Sequence, residues 1–195
     1  MYFKYLYLFL MVGFLSCNPA EKSKRKQLKK FGKQETIITI GSPLKLSRDA
    51  AAIIGNWKEY KNFKKMFNQY QTTTPSEALS NAEELNALAL QLKDSIKNKT
   101  LKTIPFKARL DVLQNETMRL QDMVSISNLK PSDIKEQVNK VLAAYNATIA
   151  KLNNIAVQKQ IEKELDNMVK DSVTDSIKVS DKKYKSLHLK EKFKK

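Results

Sequence analysis

Only one histidine, His188, and one cysteine, Cys17, occur among the 195 residues. A single cysteine excludes an intrachain disulfide and any cysteine-rich zinc site. His188 lies in the C-terminal tail, so no His-based triad, paired-His metal site or haem-ligand pair can be assembled in the body of the chain. Glycine and proline are scarce, at 4 and 5. Sandwiches and barrels use both in their turns, so the scarcity argues against an all-β fold. The chain has neither a Gly-rich phosphate loop nor a G-x-S-x-G elbow. With no credible nucleophile–base pair, the expectation is a protein that is not an enzyme and uses no cofactor.

What the chain has in excess is positive charge, a formal +16 that is unevenly spread. Residues 75–181 hold 15 Lys/Arg and 15 Asp/Glu, which cancel. Residues 1–74 hold 14 basic and 4 acidic residues, and residues 182–195 hold 7 Lys against Glu191 alone. A neutral body between two basic ends reads as one folded module with charged attachments.

Residues 1–16, MYFKYLYLFLMVGFLS, begin with the cation Lys4 and continue as an apolar run from Tyr5 to Leu15 that closes on Ser16. This is the layout of a secretory signal, and the run is shorter than the roughly 20 residues of a transmembrane helix. Cys17 follows at once. The stretch Phe14-Leu15-Ser16-Cys17 resembles the lipobox of bacterial lipoproteins, with Phe14 standing where the usual pattern has Leu. The resemblance covers residues 1–17 only. It implies that residues 1–16 are removed, that the Cys17 thiol carries lipid, and that the new N-terminus is acylated. It also implies a cell-envelope address, facing the periplasm or the cell surface. Asn18, rather than the Asp that retains such proteins at the inner membrane, favours the outer membrane. Several acyl chains would hold firmly, at about 0.8 kcal/mol per buried methylene.

Residues 17–47 are expected to act as the lipidated Cys17 and a flexible tether. The stretch 21–35 carries seven Lys/Arg, two Glu and no apolar period. Beside a lipid anchor, Lys22, Lys24, Arg25, Lys26, Lys29 and Lys30 could lie on an anionic surface. Each would add about 1 kcal/mol, weakened by salt. The plainer alternative is a tether kept soluble by its charge. An exported chain does not routinely meet nucleic acid, so no nucleic-acid partner is expected. Beyond the tether, TIITI (36–40) could form a strand, but Gly41-Ser42-Pro43 stops it, and a lone strand makes no sheet. It reads as a linker or a segment laid on the bundle.

The body, 48–170, reads as four amphipathic helices. Ser47 is the N-cap of a first helix over 48–70, with Ile53, Trp57, Tyr60, Phe63, Phe67 and Tyr70 on one side and Lys58, Lys61 and Lys65 opposite. Its aromatic face could pack in a core, dip into lipid headgroups or stack on bases. Thr74, Pro75 and Glu77 form a capping box that opens a second helix to about Lys97, with Ala78, Ala82, Leu85, Leu88, Leu92 and Ile96 in phase. A third, about 105–126, carries Phe106, Leu110, Leu113, Thr117, Leu120 and Val124. The fourth opens at Pro131-Ser132-Asp133 and carries Ile134, Val138, Val141, Tyr145, Ile149, Leu152 and Ile155 or Ala156. Short turns make antiparallel neighbours, so the fold class is all-α: an up-and-down bundle of three or four helices.

Past Gln158-Lys159-Gln160 the stripe thins to Ile161, Leu165 and Val169. At 1.5 Å per residue, a helix over 132–170 would be roughly 57 Å long against about 33 Å for a 22-residue partner. Its end must overhang the body, meet another chain or bend away. Residues 171–195 are polar and basic and read as disordered, or helical on a partner.

No metal site is expected. Asp111, Glu116 and Asp122 lack the Glu-x-x-His partners of bundle metal sites, and Met118 and Met123 point in different directions on a helix. The functional expectation is a lipid-anchored envelope protein whose bundle is a non-enzymatic interaction module for an unidentified envelope protein. The alternative is a small-ligand-binding or stress-sensing bundle in the periplasm. A polyanion- or nucleic-acid-binding protein ranks third.

Overall fold

The computed structural model describes residues 36–192, with side chains from 36 to 170. The order of elements is β1 (Ile38–Thr39), α1 (Arg48–Ile54), α2 (Lys58–Asn68), β2 (Thr72–Thr73), α3 (Pro75–Ser80), α4 (Ala82–Asp94), α5 (Ile104–Asp122) and α6 (Pro131–Lys192). It is an all-α up-and-down bundle with a long last helix and one very small sheet.

The first expected helix, 48–70, is two helices. Ser47 does cap α1: its Oγ accepts the N–H of Ala50 at 3.1 Å. Gly55 then takes φ 54°, a left-handed conformation that favours glycine, and α1 stops. Trp57 is extended and serves as the residue before α2, which a short 3₁₀ turn at Gln69–Gln71 closes. The apolar positions stay in phase across the break, which hides it from a periodicity argument.

The second expected helix is also divided, at Asn81, into α3 and α4, and it ends at Asp94 rather than near Lys97. Its start is as the sequence implies. The Glu77 N–H donates to Thr74 Oγ1 at 3.2 Å, and the Thr74 N–H donates to Glu77 Oε2 at 3.0 Å. That box sets the first turn and satisfies two otherwise orphaned donors. Thr103 caps α5, which ends at Asp122 and is followed by a 3₁₀ turn over Met123–Ser125.

TIITI is laid on the bundle and is not a lone strand. Ile38 pairs with Thr73 and Thr39 with Thr72, antiparallel. Ile38 and Ile40 are buried. Residues 36–47, grouped with the tether in the sequence reading, therefore belong to the packed body.

The core is where the stripes placed it. Leu85, Leu92, Phe106, Leu110, Leu113, Leu120, Ile134, Val138, Val141, Tyr145, Ile149 and Leu152 are buried together. The aromatic face of α2 packs inside this core. The Phe63 and Phe67 rings lie 5.5 and 5.2 Å from Tyr145. Phe63 is fully buried, whereas Lys58, Lys61, Lys64 and Lys65 on the other side are exposed. Each fully buried aromatic or aliphatic side chain stabilises the fold by about 1.5–3 kcal/mol. Burying this face removes the lipid-dipping and base-stacking alternatives for α2.

Candidate functional site

Two features of the body set what it can present: how the N-terminal segment is fastened, and how α6 leaves. The fastening is made by two asparagines seven residues apart on α6, hence on one face. The Leu44 N–H donates to Asn146 Oδ1 at 2.7 Å, and the Ser47 N–H donates to Asn153 Oδ1 at 2.8 Å. Asn153 Nδ2 donates to the Lys45 carbonyl at 3.1 Å. Farther back, Gly41 comes close to the Leu142 side chain. Residues 41, 44 and 47 thus meet 142, 146 and 153 in ascending order, so this segment runs along α6 in the same direction. Residues 41–47 therefore lie against α6 between positions 142 and 153.

The other end of α6 projects. From Pro131 to Lys192 it contains no glycine and no proline after the first position, so nothing in the chain interrupts it. Its 62 residues make a rod of roughly 93 Å. Ile134 to Ala156 are spaced three or four apart and are buried against the bundle. From Val157 to Lys170 every residue is exposed. The spacing changes at the same place: Val157, Ile161, Leu165 and Val169 recur every four residues. Their exposures are 55%, 50%, 56% and 62%. A strict four-residue repeat advances about 40° per step on an α-helix, so the stripe winds around the rod and cannot stay on one flat face. The sequence-derived overhang is present, and its backbone is helical as far as Lys192. The reading of residues 171–195 as disordered concerns a tail whose side chains lie outside the described residues.

Several other polar groups tie the elements of the body together. Tyr145 donates to the Tyr60 hydroxyl at 3.4 Å, and Tyr70 donates to the Ala78 carbonyl at 3.1 Å. Burial raises all three phenols above the usual tyrosine range, with Glu84 adding to the effect at Tyr70 and Tyr60 adding to it at Tyr145. They are neutral hydroxyls with partners, not poised bases. Asp111 pairs with Lys93 at 2.9 Å. Glu116 is partly buried and accepts from Gln137 Nε2 at 2.8 Å, so it ties α5 to α6 and is not purely a surface acid. Asp122 is exposed, as are Met118 and, in part, Met123. Among the described residues no cluster of three or more His, Cys, Asp or Glu could hold a metal.

Among the described residues, three surface clefts are half-open. One of about 350 Å³ lies beside Trp57, Lys58, Lys97 and Asn98. Trp57 is only partly buried, and its Nε1–H donates to Ser95 Oγ at 2.7 Å. A second, of about 500 Å³, lies between the 42–46 segment and Tyr60, Lys64 and Tyr145. A third, of about 440 Å³, is lined by Lys93, Asp94, Lys102, Lys107 and Asp111. None joins a nucleophile to a base.

Cys17 and Lys22, Lys24, Arg25, Lys26, Lys29 and Lys30 lie outside the described residues, as does the signal-like run before them. No helix among the described residues is long and apolar enough to cross a membrane. The two-asparagine fastening escaped the sequence reading, because each bond spans more than a hundred residues and no local pattern marks it. No family model matches the chain, and no curated protein and no solved structure is significantly similar to it.

Proposed function

We propose that the chain is a lipid-anchored protein of the bacterial cell envelope whose helical body carries a projecting arm, residues 157–192, as a non-enzymatic interaction element. The observation that carries this reading is the exposed apolar series Val157, Ile161, Leu165 and Val169 on a helix that has left its own core. Large apolar side chains repeated every four residues along a projecting rod mark a surface for contact. The lipobox-like Phe14-Leu15-Ser16-Cys17 supports the anchor, and Asn18 supports the outer membrane. The basic stretch 21–35 supplies reach and, through Lys22 to Lys30, contact with anionic headgroups.

The alternative small-ligand or stress-sensing role has less support, since the three clefts are half-open and of mixed polarity. A polyanion-binding role rests on the basic ends alone. Metabolic labelling with fatty acid tests the anchor. Wild-type protein is expected to take up label and sediment with membranes, and Cys17→Ala to do neither. Label in the Cys17→Ala variant, or an unlabelled wild type in the cytosol, would overturn the address.

A further inference from the structure

The second cleft, of about 500 Å³, carries charge of one sign. Lys45 and Lys64 line it, and no Asp or Glu does. Glu59 lines the first cleft, and Asp94 and Asp111 line the third, where Asp111 already holds Lys93. One wall of the second cleft is α2. Tyr60, Lys64 and Asn68 are spaced four apart there and so stand in a row, about one turn after another. The other wall is the 42–46 segment, fastened to α6 by Asn146 and Asn153. Tyr145 reaches the cleft from α6.

The two tyrosines close its inner side, Tyr60 being 5% exposed and Tyr145 2%. Tyr145 donates to the Tyr60 hydroxyl at 3.4 Å, and among the described residues nothing accepts the proton of Tyr60 in turn. Buried hydroxyl donors in folded proteins are matched by an acceptor, from the protein, from water or from a ligand. Burial holds both phenols above the usual tyrosine range, so both are donors at neutral pH. We propose that this cleft binds a small carboxylate, which accepts the Tyr60 hydroxyl and pairs with the Lys64 ammonium while a short apolar chain lies along Pro43, Leu44 and Leu46. The site adds a ligand to the interaction module and rests neither on the arm nor on the lipid anchor.

Size and chemistry agree. Small-molecule sites enclose about 300–1,000 Å³, whereas a water takes about 30 Å³, so one bridging water does not fill this cleft. A phenol offers one directed donor and an ammonium three that rotate, which suits an anion with two acceptor oxygens. A cationic ligand would meet two like charges and no carboxylate. Inorganic phosphate would use the cations and leave the apolar side of the 43–46 segment without a partner. Because that segment is a wall of the site, an occupant ties it to α2 and stabilises the closed arrangement.

The test titrates sodium hexanoate into the full chain carrying Cys17→Ser, in a nonionic detergent, and follows backbone amide chemical shifts. Saturable shifts are expected at residues 44–46 and at Tyr60 and Lys64, with a dissociation constant on the order of 1 mM. Exchange of the Leu44 amide, which is bonded to Asn146, is expected to slow at saturation. Hexanamide, the uncharged isostere, and hexylamine are expected to bind about tenfold more weakly or not at all. The double variant Tyr60→Phe, Tyr145→Phe removes donor and acceptor together, so its melting temperature should stay near that of the wild type while affinity falls about tenfold. Lys64→Gln alters an exposed side chain and should weaken binding about two- to fivefold with the fold unchanged. No saturable shift at 44–46, equal affinity for hexanamide, or undiminished binding by the double variant would each overturn the proposal. Should the double variant fail to fold, Lys64→Gln and the hexanamide comparison decide the matter on folded protein. None of these changes touches residues 157–192, so their outcome is separate from the role of the arm.

Discussion

Leu113 and Val112 are adjacent on α5 and should respond very unequally to the same truncation. Leu113 is fully buried, while Val112 is 45% exposed. Leu113→Ala removes three carbons, worth about 2.4 kcal/mol at 0.8 kcal/mol per buried methylene. The cavity left between α5 and its neighbours adds to that, for a total of about 3–5 kcal/mol. Val112→Ala leaves no cavity and exchanges a β-branched residue for the best helix former, so its effect is expected to stay within about 0.5 kcal/mol. For a body of this size, 1 kcal/mol shifts the melting temperature by roughly 4 °C. Circular-dichroism melts should therefore show a drop on the order of 12–20 °C for Leu113→Ala and almost none for Val112→Ala. Urea titrations at fixed temperature supply the free energies directly. Equal losses for the two variants, or a larger one for Val112→Ala, would refute the facing of α5 and with it the packing of the bundle.

Three further outcomes follow from named contacts. Asn153→Ala removes two hydrogen bonds that fasten residues 45–47 to α6 and should cost about 1–3 kcal/mol, with amide exchange accelerating in 42–47 before the rest of the body; unchanged exchange there would refute the fastening. Tyr70 is held protonated by burial, so its stabilising contribution is complete below about pH 10 and is lost as pH rises, when the unfolded chain ionises first. Wild-type stability should therefore fall more steeply above pH 10 than that of Tyr70→Phe, by about 1.4 kcal/mol per pH unit, and parallel curves would count against the burial of that phenol. Trp57 is packed against Tyr60 and Phe106 at 6.1 and 6.4 Å, so its emission should not shift on adding anionic vesicles; a salt-sensitive blue shift would move the membrane contact to α2.

The sequence made the helical faces legible and left their joins obscure. The stripe residues of α5 and α6, from Phe106 to Leu120 and from Ile134 to Ala156, are buried as their spacing implies, because side-chain direction on a helix follows from position alone. The break at 55–57 was missed although Gly55 is a strong stop signal, since Ile53, Trp57 and Tyr60 keep the apolar phase across it. The pairing of Ile38–Thr39 with Thr72–Thr73 could not be foreseen, because two-residue strands have no periodicity to read. The same holds for Asn146 and Asn153, whose backbone partners are distant in sequence. The arm was legible because the spacing lengthens to four where the core ends.

That arm carries the account, and a photo-cross-linking residue placed on it in living cells tests the account most directly. Substituted at Ile161, the probe is expected to yield a discrete covalent adduct. Substituted at Gln91, on the exposed polar side of α4, it is expected to yield none. No adduct at Ile161, or equal adducts at both positions, would contradict the claim that residues 157–192 are the surface through which this protein acts.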